Sequence, residues 1–256
     1  MTTTPERIAH FPTSLRERSS LRRLGADVPA LLVEPEGPAP APVFLWLHGR
    51  TVSKELDSAR YTRLLRAGVG VCALDLPGHG EREDPALQAP DALADLLAAA
   101  LGELDGVLDD LRRVAWVDAA RLAIGGMSAG GMVALRRLGD PHPFRCAAVE
   151  ATAGDFARVD EPRFAAARRR GLDPLDHLDA WRPTPLLAMH SEADAVVPVA
   201  AIRGLVDALR ARGKGPVELV TWPETGAPQE HLGFGRLAGE ARQRLVAFLA
   251  EHLLPR

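Results

Sequence analysis

Arg121-Leu-Ala-Ile-Gly-Gly-Met-Ser-Ala-Gly-Gly131 decides the reading of this chain. A short apolar run ends in Gly126-Met127-Ser128-Ala129-Gly130, and a helical pattern follows from Gly131 through Arg136-Arg137-Leu138. Strand, tight turn and helix in that order is the setting of a nucleophile elbow, in which a serine projects from the top of a sheet. Gly126 and Gly130 remove side chains that would collide across so tight a turn. The helix that begins at Ser128 also points its N-terminal amides toward any developing anion.

Outward from this segment, short apolar runs alternate with longer helical patterns, the signature of βαβ units on a mainly parallel sheet. The predicted strands are residues 43–47, 69–74, 122–125, 146–151, 185–189 and 217–221, mostly apolar, as a sheet covered on both faces requires. Residues 14–24 and 28–33 read as an antiparallel pair at the sheet edge. Leu93, Leu97, Leu101, Leu104, Leu108 and Leu111 form one helical stripe, and Ile202, Leu205, Val206 and Leu209 another. Residues 237–254, with Leu245, Leu249 and Leu253 on one face, close the pattern over the last strand. The spacing predicts one α/β domain over 1–256. Residues 153–183, where the pattern loosens, form a small helical cover above the carboxyl ends of the strands. Arg168-Arg169-Arg170 within it reads as a solvated helix end.

A serine hydroxyl is nearly inert at neutral pH until a base takes its proton, so the elbow requires a histidine and an acid to orient it. Asp194 lies on a loop after the strand 185–189, in His190-Ser-Glu-Ala-Asp-Ala-Val-Val-Pro198. Its rivals are Glu192, Glu150 and Asp155. His231 follows the last strand, and among the eight histidines only His252 also comes after the acid. The order Ser128, Asp194, His231 is the chain order expected of such a triad. The run Asp75-Leu-Pro-Gly-His-Gly80 is too tightly spaced to converge three ligands on a metal and reads as a turn scaffold.

These pieces, with Leu45-Trp-Leu-His48-Gly49-Arg50, resemble an α/β-hydrolase of the serine-esterase kind, close in pattern to dienelactone-hydrolase-like and small bacterial esterase families. The resemblance implies the α/β-hydrolase fold, a mainly parallel twisted sheet with helices on both faces. It also implies an oxyanion hole made by the amides of Arg50 and Ala129. The Arg50 side chain meets a substrate carboxylate or lies in solvent. Dienelactone hydrolases usually carry a cysteine nucleophile, and Ser128 at that position favours plain ester hydrolysis. The expected reaction is cleavage of small, soluble carboxylic esters through an acyl-enzyme, with no metal or organic cofactor. Alternatives on the same triad are a peptidase or acyl-peptide hydrolase, as in prolyl-oligopeptidase-like domains, and an acyltransferase. A non-catalytic binding module is the alternative of a different class.

Composition bounds the partners. The 31 Lys and Arg against 34 Asp and Glu give a formal charge of −3, without a basic block for nucleic acid. Apolar runs fall far short of the roughly 20 residues that cross a bilayer, and Met1-Thr-Thr-Thr-Pro5 lacks a secretory pattern. Cys72 and Cys146 are the only cysteines and read as buried free thiols of a cytoplasmic protein. The expected partner is a small-molecule ester, on a monomer or homodimer that binds neither nucleic acid nor membrane.

Overall fold

The structure is a computed structural model that describes residues 4–255; Met1–Thr3, part of the stretch expected to lack a secretory pattern, lie outside the described residues. Its strands are β1 (Ser19–Leu24), β2 (Val28–Val33), β3 (Ala41–Leu47), β4 (Gly70–Leu74), β5 (Val117–Met127), β6 (Phe144–Glu150), β7 (Leu186–Ser191) and β8 (Val217–Trp222). The helices are α1 (Thr4–Arg7), α2 (Thr13–Glu17), α3 (Ser58–Arg66), α4 (Pro85–Gln88), α5 (Leu93–Leu111), α6 (Ala129–Arg137), α7 (Pro162–Arg169), α8 (Val199–Ala211) and α9 (Ala238–Leu253). One sheet runs in the order β1-β2-β4-β3-β5-β6-β7-β8. The β1/β2 and β2/β4 pairs are antiparallel and the rest parallel. This is the helix-covered, mainly parallel architecture expected.

The strand period of two explains why a strand such as β3, covered on both faces, is apolar throughout. Along β3, Val43, Leu45 and Leu47 enter the core beneath α5, α6 and α8, while Phe44 and Trp46 enter the core beneath α3 and α9. Every residue of β3 is buried. Cys72 and Cys146 lie inside these cores. Burial pushes the Cys146 thiol up to about 12 and that of Cys72 further still, so neither offers a thiolate.

Besides shifts of one or two residues at other strand ends, two stretches differ from the sequence reading. Residues 14–18 do not extend β1: Thr13–Glu17 is a helical turn that starts after Pro12 and buries Leu15 completely. Ser19 Oγ then donates to the Leu15 carbonyl at 2.7 Å. One anchored leucine among polar residues suits a single turn better than a strand, whose alternation would need a second inward side chain. Strand β5 is longer than residues 122–125 because Asp118-Ala-Ala-Arg121 forms an irregularity: Ala41 pairs with Val117, and Val43 next with Leu122. The Asp118 carboxylate accepts from Ala120 N at 2.9 Å and from Arg121 Nε at 2.6 Å, which pins the bulge.

Above the carboxyl ends of the strands, two turns are braced by one buried aspartate. Asp75, after β4, accepts from the Lys54 backbone at 3.0 Å, Lys54 Nζ at 2.7 Å and Glu81 N at 3.0 Å. Lys54 Nζ also meets Glu81 at 2.6 Å and Glu55 at 2.9 Å. A Cβ at Gly80 would fall 2.2 Å from the Asp75 carboxyl, so only glycine closes this turn. Asp75 is therefore a scaffold. In the neighbouring turn, the Leu76 amide donates to His48 Nε2 at 3.0 Å, leaving His48 Nδ1–H to donate to the Gly49 carbonyl at 2.5 Å. Burial lowers the His48 pKa to about 4, against partial relief from the Gly49 carbonyl and Asp75.

Within residues 153–183, α7 lies between two short turns. Phe156 and Phe164 meet edge to face at 5.4 Å, Trp181 is buried, and Asp173 accepts from Phe156 N at 3.1 Å. Arg170 at its exposed end pairs with Asp95 of α5 at 2.5 Å.

Two outcomes follow from these turns. Asp75→Ala leaves Lys54 with fewer buried partners and costs about 3 kcal/mol, the lower end for a broken buried pair because Glu55 and Glu81 remain; urea denaturation measures it. His48 is neutral in the fold and titrates normally when unfolded, so its contribution is full above pH 6.5 and is lost as pH falls toward 4. Between pH 7 and 5 the protein should lose about 2 kcal/mol more than His48→Gln does. Burial raises the Asp173 carboxyl to about 6, which works in the opposite direction in both proteins and cancels from the comparison.

Candidate active site

Ser128 stands between β5 and α6 with φ 52° and ψ −120°, a backbone region that residues with a Cβ avoid. Close contacts hold it there. A Cβ on Gly130 would fall 2.2 Å from the Leu47 carbonyl oxygen, and one on Gly126 2.5 Å from Gly130. The Ser128 amide donates to the Glu150 carbonyl at 3.0 Å, and its own carbonyl accepts from Met132 N at 3.0 Å and Thr152 Oγ1 at 2.7 Å. The elbow is thus clamped between β3 and the end of β6. Thr152 gave no signal in the sequence, because its partner lies 24 positions away and is a backbone oxygen.

From the turn, Ser128 Oγ–H donates to His231 Nε2 at 2.9 Å, and His231 Nδ1–H donates to Asp194 Oδ2 at 2.7 Å. Three side chains from three strand ends therefore form one hydrogen-bonded line. Asp194 sits on the loop after β7, and His231 on a short turn after β8. The second carboxylate oxygen of Asp194 accepts from the amides of Val196 and Val197, both at 2.9 Å. His190 Nε2 lies 3.4 Å from Oδ2 and donates to the Val197 carbonyl at 2.9 Å. Burial alone would raise the Asp194 pKa, but the hydrogen bonds from His190, His231 and Val197 outweigh it and hold the carboxyl well below the usual range. An ionised, fully bonded carboxylate keeps the imbalance of charge next to His231 fixed.

The rival acids are engaged elsewhere. Glu150 takes both Arg60 nitrogens at 2.5 and 2.8 Å, Glu192 accepts from Thr221 Oγ1 at 2.8 Å, and Asp155 accepts from Arg158 at 2.9 Å. Of the other histidines, His79 bonds to the Pro77 carbonyl and His252 packs on Phe248.

The turn that carries His231 has its own clamp, which the sequence reading passed over. Glu230 accepts from Ser191 Oγ at 2.5 Å, Thr225 Oγ1 at 2.7 Å and the amides of Thr225 and Gly226. Those bonds, Ser191 first, bring its carboxyl down to about 2. A glutamate beside the histidine was visible, but its role depends on Ser191, 39 residues away.

Arg50 and Ala129, the residues expected to supply amides to an oxyanion, border the serine. Ala129 is the first residue of α6 and is buried. Gly49 approaches so closely that a Cβ there would be 3.6 Å from Ser128 Cβ. Because a trans peptide sets C=O and N–H on opposite sides, fixing the Gly49 carbonyl on His48 also fixes the direction of the Arg50 N–H. The cleft over Ser128 encloses about 590 Å³ and is lined mainly by apolar side chains such as Leu93, Met132 and Phe164, with several arginines.

Comparison with known proteins identifies the family and the fold. A curated relative, Esterase YjfP of Escherichia coli (strain K12), is 28% identical over 247 residues, 89% of this chain and 96% of its own. The structure of TT1662 from Thermus thermophilus is 25% identical, with a TM-score of 0.70 over 93% of this chain and 100% of the other. A puromycin-hydrolysing peptidase from Mycobacterium tuberculosis superposes with a TM-score of 0.71 at 24% identity, covering 92% of this chain; the chain spans 40% of that protein's length. The model of the prolyl oligopeptidase family matches residues 104–255, from within α5 through α9 and including Ser128, Asp194 and His231. The chain therefore belongs to the prolyl oligopeptidase family and is a serine hydrolase of the α/β-hydrolase type.

Proposed function

We propose that this hydrolase cleaves carboxylic esters of small, soluble acyl groups through an acyl-enzyme on Ser128. The observation that carries the reading is the line Ser128–His231–Asp194 at the foot of an open cleft of about 590 Å³. Ser128 Oγ attacks the ester carbonyl as its proton passes to His231 Nε2. Asp194 keeps the imidazole in the Nδ1–H tautomer and balances the imidazolium. The carbonyl oxygen, now negative, takes hydrogen bonds from the amides of Arg50 and Ala129. His231 returns the proton to the departing alcohol. Water, deprotonated by the same nitrogen, then releases the acid and restores the serine.

Each donor to the oxyanion lowers the barrier by about 3 kcal/mol. Backbone donors suit the task because they are already oriented. The relative matched over 96% of its length is named an esterase, which supports ester over peptide cleavage. A peptidase reading has its own support in the mycobacterial peptidase, matched over 40% of its length.

Fluorophosphonate labelling of the wild type, with loss of label in Ser128→Ala, tests the nucleophile. Ser128→Ala should lower kcat by about 10⁴-fold or more, and Asp194→Asn by a similar factor. Across p-nitrophenyl esters from acetate to palmitate, kcat/KM should peak at the short acyl chains. A palmitate optimum, or faster cleavage of acyl-peptide anilides than of esters, would contradict the reading.

A further inference from the structure

Four arginines line the cleft beside Ser128, namely Arg50, Arg60, Arg163 and Arg242, against two acidic side chains, Asp57 and Glu150. Both acids serve Arg60: Glu150 takes it at 2.5 and 2.8 Å, and Asp57 lies 3.6 Å from it. Arg60 also stacks 3.9 Å over the Trp46 ring, so its charge is balanced within the fold, although its Nε has no acceptor. Arg163, on α7, is held by Glu161 at 2.8 Å.

Arg242 lacks an ion pair among the described residues, its Nε donating to the Ala238 carbonyl at 2.8 Å, and Arg50 has no neutralising partner either. Among the described residues, no carboxylate oxygen lies within 4.0 Å of its guanidinium. Its Nη2 donates to the Gln88 carbonyl, and its Nε is buried without an acceptor. A buried donor left unpaired costs free energy that a ligand acceptor would recover. Burial and the nearby charge of Arg163 both weaken the hold of Arg50 on its proton, and exposed Asp91 offsets this in part. Two guanidiniums near enough to repel in the same cleft, one of them without a counterion, make a surplus of positive charge there.

Sheet order places that charge relative to the reaction. Arg50 follows β3, Ser128 follows β5, and His231 arrives from beyond β8, so Arg50 and His231 approach the serine from opposite directions. The leaving oxygen must sit by His231 Nε2 to receive its proton. The carbonyl oxygen faces the Arg50 amide, so the acyl half, which leaves the same carbon on a side away from His231, begins next to residue 50. Resting on the esterase reading above, we propose that the Arg50 side chain, with Arg163 behind it, binds a carboxylate on the acyl half, and that the preferred substrates are monoesters of short dicarboxylic acids.

The test compares monoethyl succinate with ethyl levulinate, which puts an acetyl group in place of the carboxylate, by release of ethanol. The wild type should show a kcat/KM roughly tenfold or more higher for the anionic ester, as expected of a charge-assisted hydrogen bond. In Arg50→Met that ratio should fall toward one, and in Arg163→Met it should fall partway. Raising the salt from about 0.05 to 0.5 M should narrow the wild-type ratio, a result that needs no variant to fold. A wild-type ratio at or below one, or a ratio unchanged in Arg50→Met, overturns the proposal. So does a preference for acetoxyacetate over acetoxyacetone that is lost in Arg242→Met, since it would place the anion on the alcohol half. Hydrolysis of ethyl levulinate that disappears in Ser128→Ala keeps the esterase reading intact whatever the ratio; no turnover of any of the four esters overturns both.

Discussion

The positive φ of Ser128 is the constraint on which the rest of the site depends. Holding a residue with a Cβ at φ 52° costs on the order of 1–3 kcal/mol, which the surrounding packing must supply. Here it comes from two glycines that let the elbow sit against the Leu47 carbonyl, and from backbone bonds to Glu150, Met132 and Thr152. Relaxing the turn would swing Oγ out of line with His231. The strain and the reactive geometry are one feature.

Around the elbow, each partner arrives on a loop that is itself bonded down at a strand end. Asp194 is fixed by two amides, His231 by the Glu230 clamp, and the turn bearing Arg50 by His48. A parallel sheet makes this natural, because its carboxyl ends all open on the same edge. Both faces of the sheet are sealed by helices, so the polar groups of the site gather at that edge, where a cleft gives substrate access. The hydrogen bonds on His48 and His231 set the same tautomer in both: each gives at Nδ1, to the Gly49 carbonyl and to Asp194, and receives at Nε2, from the Leu76 amide and from the serine.

Much of this was legible in the linear sequence, for identifiable reasons. The strands around Trp46, Ile124 and Val149 carry a local signal, continuous apolar character bounded by turns, because burial on two faces leaves no room for polar residues. Ser128 was legible because its glycines sit at fixed offsets. Asp194 and His231 followed from chain order, although order alone did not separate Asp194 from Glu192; the amides of Val196 and Val197, which make the difference, are a property of the folded loop. Residues 14–18 misled because a single helical turn is too short to show its period. The ion pairs were invisible: Arg60 and Glu150 are 90 positions apart, and Lys54 and Asp75 21 apart. Neither pair imposes a pattern on its neighbours. The uncompensated charge of Arg50 is hidden for the same reason, since it is defined by the acids that fail to reach it.

The most direct measurement is a crystal structure of the protein with Ser128 phosphonylated by a small fluorophosphonate, a stable likeness of the tetrahedral intermediate. The account predicts continuous density from Ser128 Oγ to phosphorus, with the phosphonyl oxygen accepting from the amides of both Arg50 and Ala129 at about 2.7–3.1 Å and His231 still bonded to Asp194. A phosphonyl oxygen turned away from those amides, or an adduct on another residue, would contradict it.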